Sequence, residues 1–198
     1  TGTVTPTAEI HRCIAEAPGI VVVDEAYAEF ASARDWRADA PGLERVLVLR
    51  TFSKAWGLAG LRVGYGVGSR TLVDAVVRSR GPYKVNALAE LAATTAIRED
   101  DSWMRRVAAE AIDARTRLDA LVRGRRGVRA WPSEGNFAFW QVDGIAMDLA
   151  ARFAAHGVGV RAFSALTGIG EALRIGVAPW ARLERLALHR LHHRQGLH

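Results

Sequence analysis

Lys54 is the residue in this chain whose type and surroundings are best suited to chemistry. The sequence has 25 arginines and only two lysines, Lys54 and Lys84. A Schiff base requires an amine that can lose its proton, which the guanidinium of arginine does not do. Two hydroxyl residues, Thr51 and Ser53, precede Lys54, and Arg62 follows it by eight residues around a glycine-rich turn. This spacing predicts a site for a covalently bound cofactor.

Polar residues follow two predicted strands at the points where those strands end. Residues 46–49 form an apolar run that fits a buried strand, and the sequence then turns polar before Lys54. Residues 20–23 form a second such run, followed by Asp24 and Tyr27. In open α/β sheets, ligands bind outside the carboxyl ends of the strands. We therefore expect the two strand ends to meet at one pocket.

Five motifs along the chain carry a resemblance to a known family. They are VVDEAY at 22–27, RTFSKAWGLAGLRVGY at 50–65, PYKVN at 82–86, SEGNF at 133–137 and LRI at 173–175. With these motifs the chain resembles the fold-type-I pyridoxal-phosphate aminotransferases, and among them the histidinol-phosphate aminotransferases. The resemblance implies an α/β, transferase-like fold in two parts. Residues 1–105 would be the C-terminal part of the large, mostly parallel-sheet domain, and residues 106–198 a small α+β domain that includes a long linking helix.

The resemblance also implies roles for the residues at the strand ends. Lys54 would hold pyridoxal phosphate as a Schiff base and, once substrate displaces it, move a proton between the substrate Cα and the cofactor. Asp24 would keep the pyridine nitrogen protonated, which makes the ring an acceptor for the electron pair left at Cα. Tyr27 would hydrogen-bond the phenolate oxygen of the cofactor.

Further residues are implied to bind the anionic groups of cofactor and substrate. Ser53, Thr51 and Arg62 would hold the cofactor phosphate, with charge-assisted hydrogen bonds from the arginine. Arg174 would bind the substrate α-carboxylate through a bidentate pair. Arg161, which ends the apolar run 158–160, would meet the phosphate of the substrate.

Ordinary structural roles remain open for several of these positions. Asp24 also fits a helix N-cap, and Arg62 also fits the partner of a carboxylate at the sheet end. Arg174 also fits the outward residue of an alternating strand. Asn86 and Asn136 match family positions near the pocket, although both residue types also cap helices and form turns.

Composition favours an enzyme over a nucleic-acid-binding or membrane protein. The net charge of +6 comes from dispersed arginines interleaved with acidic residues, not from a basic stripe. No apolar stretch approaches the roughly 20 residues that span a bilayer. The single Cys13 excludes an intrachain disulfide and favours a reducing compartment, so we expect a cytoplasmic protein.

Two local patterns suggest other sites and are better explained by structure. Residues 64–68 read G-x-G-x-G and lack the last glycine of a dinucleotide-binding loop, which favours a glycine-rich strand passing close to a neighbour. His189 and His193 share a helix face without a carboxylate or cysteine beside them, which favours an exposed basic helix end over a metal site. We expect no metal.

Periodicity predicts the remaining elements. Helices are expected at 6–17, 71–80, 87–98, 102–122, 147–156 and 181–191. Beyond the two site strands, strands are expected at 61–65, 128–131, 136–142, 158–161 and 172–177.

Three functions follow from the resemblance and remain open. The first is transamination of histidinol phosphate with 2-oxoglutarate in histidine biosynthesis, at a homodimer interface. The second is a related enzyme, an aromatic amino-acid aminotransferase or a pyridoxal-phosphate decarboxylase. The third is a non-catalytic remnant. Residues 1–3 resemble the end of the family motif Asn-Pro-Thr-Gly, so we expect a fragment that lacks the N-terminal part and binds cofactor poorly or not at all alone.

Overall fold

The computed structural model describes residues 1–99 and 101–184 and divides into two compact units. One unit is Val4–Val107, and the other combines Thr1–Thr3 with the chain from Ala108 onward. Both units mix helices with strands, as the predicted α/β class requires. The assignment of 1–105 and 106–198 to two domains of a larger enzyme stays a prediction.

The Val4–Val107 unit is built on a three-stranded sheet in the order β1-β2-β3. Its strands are β1 (Val21–Asp24), β2 (Val46–Thr51) and β3 (Gly64–Gly68), and its helices are α1 (Thr7–Glu16), α2 (Arg70–Ser79) and α3 (Ala87–Glu99). The β1–β2 pair is parallel and the β2–β3 pair is antiparallel. Val46 and Val48 are fully buried beneath Trp36 and Ala40, and this cluster anchors the central strand.

The glycines of β3 allow it to lie close to β2. A Cβ at Gly64 would stand 2.5 Å from the backbone oxygen of Arg50, and one at Gly68 would stand 3.0 Å from that of Val46. The interpretation of 64–68 as a glycine-rich strand is therefore confirmed.

The strand predicted at 61–65 begins later, at Gly64. Leu61 closes a short 3-10 helix (Ala59–Leu61), and Arg62 has φ 54° and ψ 45°, the left-handed conformation. Strand backbone does not adopt these angles, so the placement of Arg62 in a strand is wrong.

The second unit has a four-stranded antiparallel sheet in the order β4-β5-β7-β6. Its strands are β4 (Val128–Trp131), β5 (Phe137–Val142), β6 (Arg161–Leu166) and β7 (Gly170–Gly176). One face packs on α4 (Ser102–Val122), which crosses the unit boundary, and on α5 (Ala146–Ala155). Leu118, Trp140 and Leu173 are the large side chains at the centre of this core.

The strand predicted at 158–161 is displaced toward the C-terminus. Val158 and Val160 pack against the core from a loop, while strand pairing starts at Arg161 and runs to Leu166. The apolar alternation at 158–160 therefore reflects partial burial of a loop and not a strand.

The five helices α1 to α5 start and end within one residue of the predicted positions. The backbone at 180–184 is helical, and the rest of the helix predicted at 181–191 lies outside the described residues, as do His189 and His193. Among the described residues, no cluster of three metal-ligating side chains occurs. None of the helices in this part of the chain has the length and apolar character to cross a membrane.

Candidate active site

The carboxyl ends of β1 and β2 lie at the same edge of the first sheet. The two strands are parallel, with Asp24 opposite Leu49, and β2 continues to Thr51. Asp24 is exposed, and its Oδ1 accepts a hydrogen bond of 3.0 Å from the backbone N–H of Ala26. That bond forms a tight turn after the strand, so Asp24 does not cap an α-helix.

Lys54 lies beside Tyr27 in the loop that follows β2. The Lys54 Nζ is 5.2 Å from the centroid of the Tyr27 ring, which is a cation–π distance. Both side chains are half-buried. Phe52 and Ala55 on either side of the lysine are buried, which fixes the backbone of this loop. Two of the predicted site residues, one from each strand end, thus meet in the structure.

The predicted phosphate-binding residues lie at the end of β2 and in the loop that follows it. The Ser53 backbone N–H donates to Thr51 Oγ1 at 3.1 Å, and Arg62 Nη1 is 3.5 Å from Ser53 Oγ. The exposed guanidinium of Arg62 also donates to the Ala59 carbonyl at 3.0 Å. Its hydrogen bonds are therefore made to a hydroxyl and a carbonyl, whereas the alternative assignment expected a carboxylate partner.

An ionic cluster centred on the buried Arg50 was not foreseen from the sequence. We define the Arg50 cluster as Arg50 with Glu25, Glu29 and Asp35. The side chain of Arg50 is only 5% exposed, and its Nε is 2.7 Å from Glu25 Oε2. Its two terminal nitrogens lie 3.2 Å from Glu29 Oε1 and 3.1 Å from Asp35 Oδ1.

The sequence did hold a signal for the cluster. Val46, Val48 and Arg50 are alternate residues of β2, and all three are buried, so they share one face of the strand. Position 50 therefore points inward by the same alternation that buries the valines. A charge at such a position needs buried partners, and carboxylates at 25 and 29 were available just after β1.

Arg37 lies at the exposed side of the cluster. Its side-chain hydrogen bond holds the pKa of Asp35 well below its usual value, at about 2, even though burial opposes this shift. The same hydrogen bond raises the pKa of Arg37, which also donates to the hydroxyl of Tyr65 at 3.1 Å. Asp35 is therefore ionised throughout the physiological range.

Arg161 and Arg174 lie in the second unit, directly opposite each other on β6 and β7. Arg174 is half-buried, with its guanidinium carbon 3.8 Å from the centroid of the Phe137 ring. Arg161 is exposed and lies 5.0 Å from the ring of Phe163. Because they are direct cross-strand partners, the two arginines lie on the same face of this sheet.

The two asparagines have local roles in the backbone. Asn86 Oδ1 accepts a hydrogen bond of 2.9 Å from the N–H of Ala89, which caps the start of α3. The backbone carbonyl of Asn136 accepts from Val177 at 3.0 Å. For Asn86 the capping alternative therefore describes the observed contact.

The chain is similar to a known protein family and to several members of it. The family model "Aminotransferase class I and II" matches residues 1–189. A histidinol-phosphate aminotransferase of Methanocaldococcus jannaschii is 32% identical over 188 residues, which are 93% of this chain and 50% of that protein. An aromatic amino acid aminotransferase of Corynebacterium glutamicum is 39% identical over 190 residues, which are 93% of this chain and 52% of that protein.

A solved structure gives the same picture for the fold. The crystal structure of histidinol-phosphate aminotransferase from Sinorhizobium meliloti in complex with pyridoxal-5'-phosphate matches with a TM-score of 0.83 and 26% identity. The match covers 95% of this chain and 53% of that one. The chain thus spans about half the length of the curated relatives it matches.

Proposed function

Because the chain belongs to the aminotransferase class I and II family, as its motifs predicted, we propose that it carries the lysine-bearing part of a pyridoxal-phosphate-dependent aminotransferase. The observation that carries this proposal is the setting of Lys54. Its amine is half-buried against Tyr27, on the loop where Ser53 and Arg62 approach each other. An amine beside hydroxyl and guanidinium donors is suited to a ligand that has both a carbonyl and a phosphate.

The chemistry of these side chains fits the cofactor. A phosphate is bound by O–H and N–H donors, and Thr51, Ser53 and Arg62 offer a hydroxyl pair and a guanidinium within one loop. An aldehyde is captured by an amine, which Lys54 offers. A protonated pyridine nitrogen is held by a carboxylate, which Asp24 offers at the neighbouring strand end. Each part of the cofactor therefore has a candidate partner of suitable chemistry.

We propose a role for each of these residues in the reaction. Pyridoxal phosphate, when bound, supplies an acceptor for the electron pair left at a substrate Cα. Lys54 would bind the cofactor and then take up and return the proton at Cα. Asp24 would hold the ring nitrogen in its protonated form, and Tyr27 would donate its hydroxyl hydrogen bond to the ring oxygen.

For the substrate we propose histidinol phosphate, with 2-oxoglutarate as amino acceptor. Relatives named histidinol-phosphate aminotransferase, one of them 32% identical over 93% of this chain, support this choice. Arg161 would bind the phosphate of histidinol phosphate and Arg174 the α-carboxylate of the amino acceptor, and the two arginines lie on the neighbouring strands β6 and β7. We also propose a homodimer as the working form of the whole enzyme.

An aromatic amino acid is the second candidate substrate. The Corynebacterium glutamicum relative named for that activity is 39% identical over 93% of this chain. The cofactor residues would serve both reactions equally. Arg161 separates them, because an aromatic amino acid has no phosphate for it to bind. Arg161→Ala should therefore weaken transamination of histidinol phosphate and spare that of tyrosine, and unchanged use of histidinol phosphate would contradict the assignment of Arg161.

The test of the cofactor proposal is reductive trapping. This chain and a version extended upstream are incubated with pyridoxal phosphate, reduced with borohydride and mapped by peptide mass spectrometry. An adduct on Lys54 is expected in the extended chain, and Lys54→Arg should abolish it, whereas Lys84→Arg should not. Absence of an adduct on Lys54 in both chains would refute the proposal.

A further inference from the structure

The Arg50 cluster fastens the loop that carries Tyr27 to the strand that leads to Lys54. The guanidinium of Arg50 bonds three carboxylates, and these come from both ends and the interior of residues 25–35. Glu25 closes the loop further, since its Oε1 accepts from the backbone N–H of Trp36 at 2.9 Å. Tyr27 lies between Glu25 and Glu29, two residues from each. Its position is therefore determined by bonds on both sides.

Glu29 is the member of the cluster that holds Tyr27 from the C-terminal side. It belongs to the 3-10 helix Ala28–Phe30, which begins with a hydrogen bond of 3.0 Å from the Phe30 N–H to the Tyr27 carbonyl. The side chain of Glu29 is 9% exposed, and its Oε1 accepts from Arg50 Nη1 at 3.2 Å. Movement of this carboxylate would thus move the backbone of Tyr27.

The Arg50 cluster has two features that are unfavourable for stability, an excess negative charge and a buried unpaired oxygen. Three carboxylates face two guanidinium groups, Arg50 and Arg37, which leaves one excess negative charge. In the described part of the chain, Glu29 Oε2 is a buried oxygen without a hydrogen-bond partner. Burial of an unpaired polar oxygen is unfavourable. Stability alone therefore does not account for the carboxylate of Glu29.

We propose that Arg50 and Glu29 are positioning residues that hold the ring of Tyr27 against the amine of Lys54. The ring covers one side of the amine and attracts its charged form, so the contact restrains the reactivity of Lys54. The effect acts through Tyr27, since neither Arg50 nor Glu29 bonds the lysine in the contacts described above. Its part in catalysis rests on the proposed function, whereas the contact itself exists in the chain without cofactor.

The chain offers an internal reference for the test because it has only two lysines. Lys84 is exposed. Trace acetylation with acetic anhydride at neutral pH measures the reactivity of the Lys54 amine relative to that of the Lys84 amine in one sample. The whole 198-residue chain is used without cofactor. Glu29→Ala removes the acceptor oxygen, and Glu29→Gln removes the same charge but keeps an acceptor oxygen for Arg50. Exposed Glu16→Ala serves as the control for loss of a carboxylate elsewhere.

We expect Glu29→Ala to raise the Lys54 to Lys84 labelling ratio roughly two- to fivefold, the range that a weak cation–π contact supports. Glu29→Gln and Glu16→Ala should keep the parent ratio. The urea midpoint of Glu29→Ala should change little, because removal of the excess charge and of the unpaired oxygen offsets the loss of one of the three partners of Arg50. A purely structural role would lower that midpoint and leave the ratio unchanged.

Two results would overturn the proposal. One is a parent-like ratio in a folded Glu29→Ala chain, and the other is an equal rise in Glu29→Ala and Glu29→Gln, which would assign the effect to charge alone. If Glu29→Ala does not fold, Glu29→Asp takes its place with the same expected rise, because its shorter side chain does not reach Arg50. Failure of reductive trapping with an increased ratio would refute the cofactor and leave the positioning role intact.

Discussion

Gly64→Ala should destabilise the first sheet at the point where it supports the candidate site. The new Cβ would lie 2.5 Å from the backbone oxygen of Arg50, closer than Cβ atoms approach other atoms in folded proteins. That oxygen belongs to the backbone of a central strand and has no rotamer by which to move away. Overpacking of this kind costs about 1–3 kcal/mol, so we expect the free energy of unfolding to fall by about that amount.

Two other glycines of the same unit provide graded controls. A Cβ at Gly66 would meet the Leu47 side chain at 3.3 Å, which a small rotation relieves, so Gly66→Ala should cost less than Gly64→Ala. A Cβ at Gly60 would have no neighbouring atom within 4 Å, and Gly60→Ala should be neutral or stabilising by up to about 1 kcal/mol through the unfolded state.

Urea unfolding followed by tryptophan fluorescence measures all three variants. The order of stability should be Gly60→Ala, then Gly66→Ala, then Gly64→Ala. A Gly64→Ala chain that kept the parent free energy of unfolding within about 0.5 kcal/mol, the effect of an ordinary surface substitution, would contradict the overpacking at this position.

Three further predictions concern charge and packing. Burial raises the pKa of Asp119 above its usual 3.8, although Trp140 donates a hydrogen bond to it. The stability of the protein should therefore fall as pH rises through the pKa of the folded state. Asp119→Asn, which keeps the acceptor, should be at least as stable as the parent in urea at pH 7 and should lack this pH dependence. The hydrogen bond from Arg37 lowers the pKa of Asp35 to about 2. The contribution of Asp35 to stability should therefore be present above pH 3.8 and disappear as pH falls toward 2. After allowance for solvent screening, Asp35→Asn should remove about 1 kcal/mol of that acid-sensitive stability, and an unchanged pH profile would contradict this. Leu118 is fully buried, and Leu118→Ala should lower the free energy of unfolding by about 2–5 kcal/mol, with a loss below about 1 kcal/mol indicating that the cavity collapses.

Local sequence was sufficient for the helices and for the pairing of Lys54 with Tyr27 in the candidate site. Apolar periodicity set α4 at Ser102–Val122, and the motifs identified Lys54 and Tyr27, which meet in the structure. The two misplaced strands share a physical reason. Arg62 adopts a left-handed conformation, and Val160 is half-buried in a loop. Neither property changes the apolar pattern that predicts a strand.

The Arg50 cluster could not be assembled from local patterns because its partners are set by tertiary packing. Alternation along β2 shows only that residue 50 points inward. That Glu25 lies beside it follows from the parallel register of β1 and β2, in which the Glu25 N–H donates to the Leu49 carbonyl at 2.9 Å. Asp35 reaches it only after the chain beyond Glu25 has folded back. The motifs thus identified Lys54 and Tyr27 but not the Arg50 cluster.

The buried guanidinium of Arg50 joins the loop that carries Tyr27 to the end of β2, and burial of this charge is energetically unfavourable. Loss of one partner from a buried ion pair is strongly destabilising, whereas apolar side chains of similar volume often serve stability equally well. Apolar packing, however, does not define the orientation of a loop as narrowly as three ion pairs from one planar group do. The geometry of Arg50 is therefore better explained by the precise position it gives to residues 25–35, and so to Tyr27 beside Lys54, than by any gain in stability.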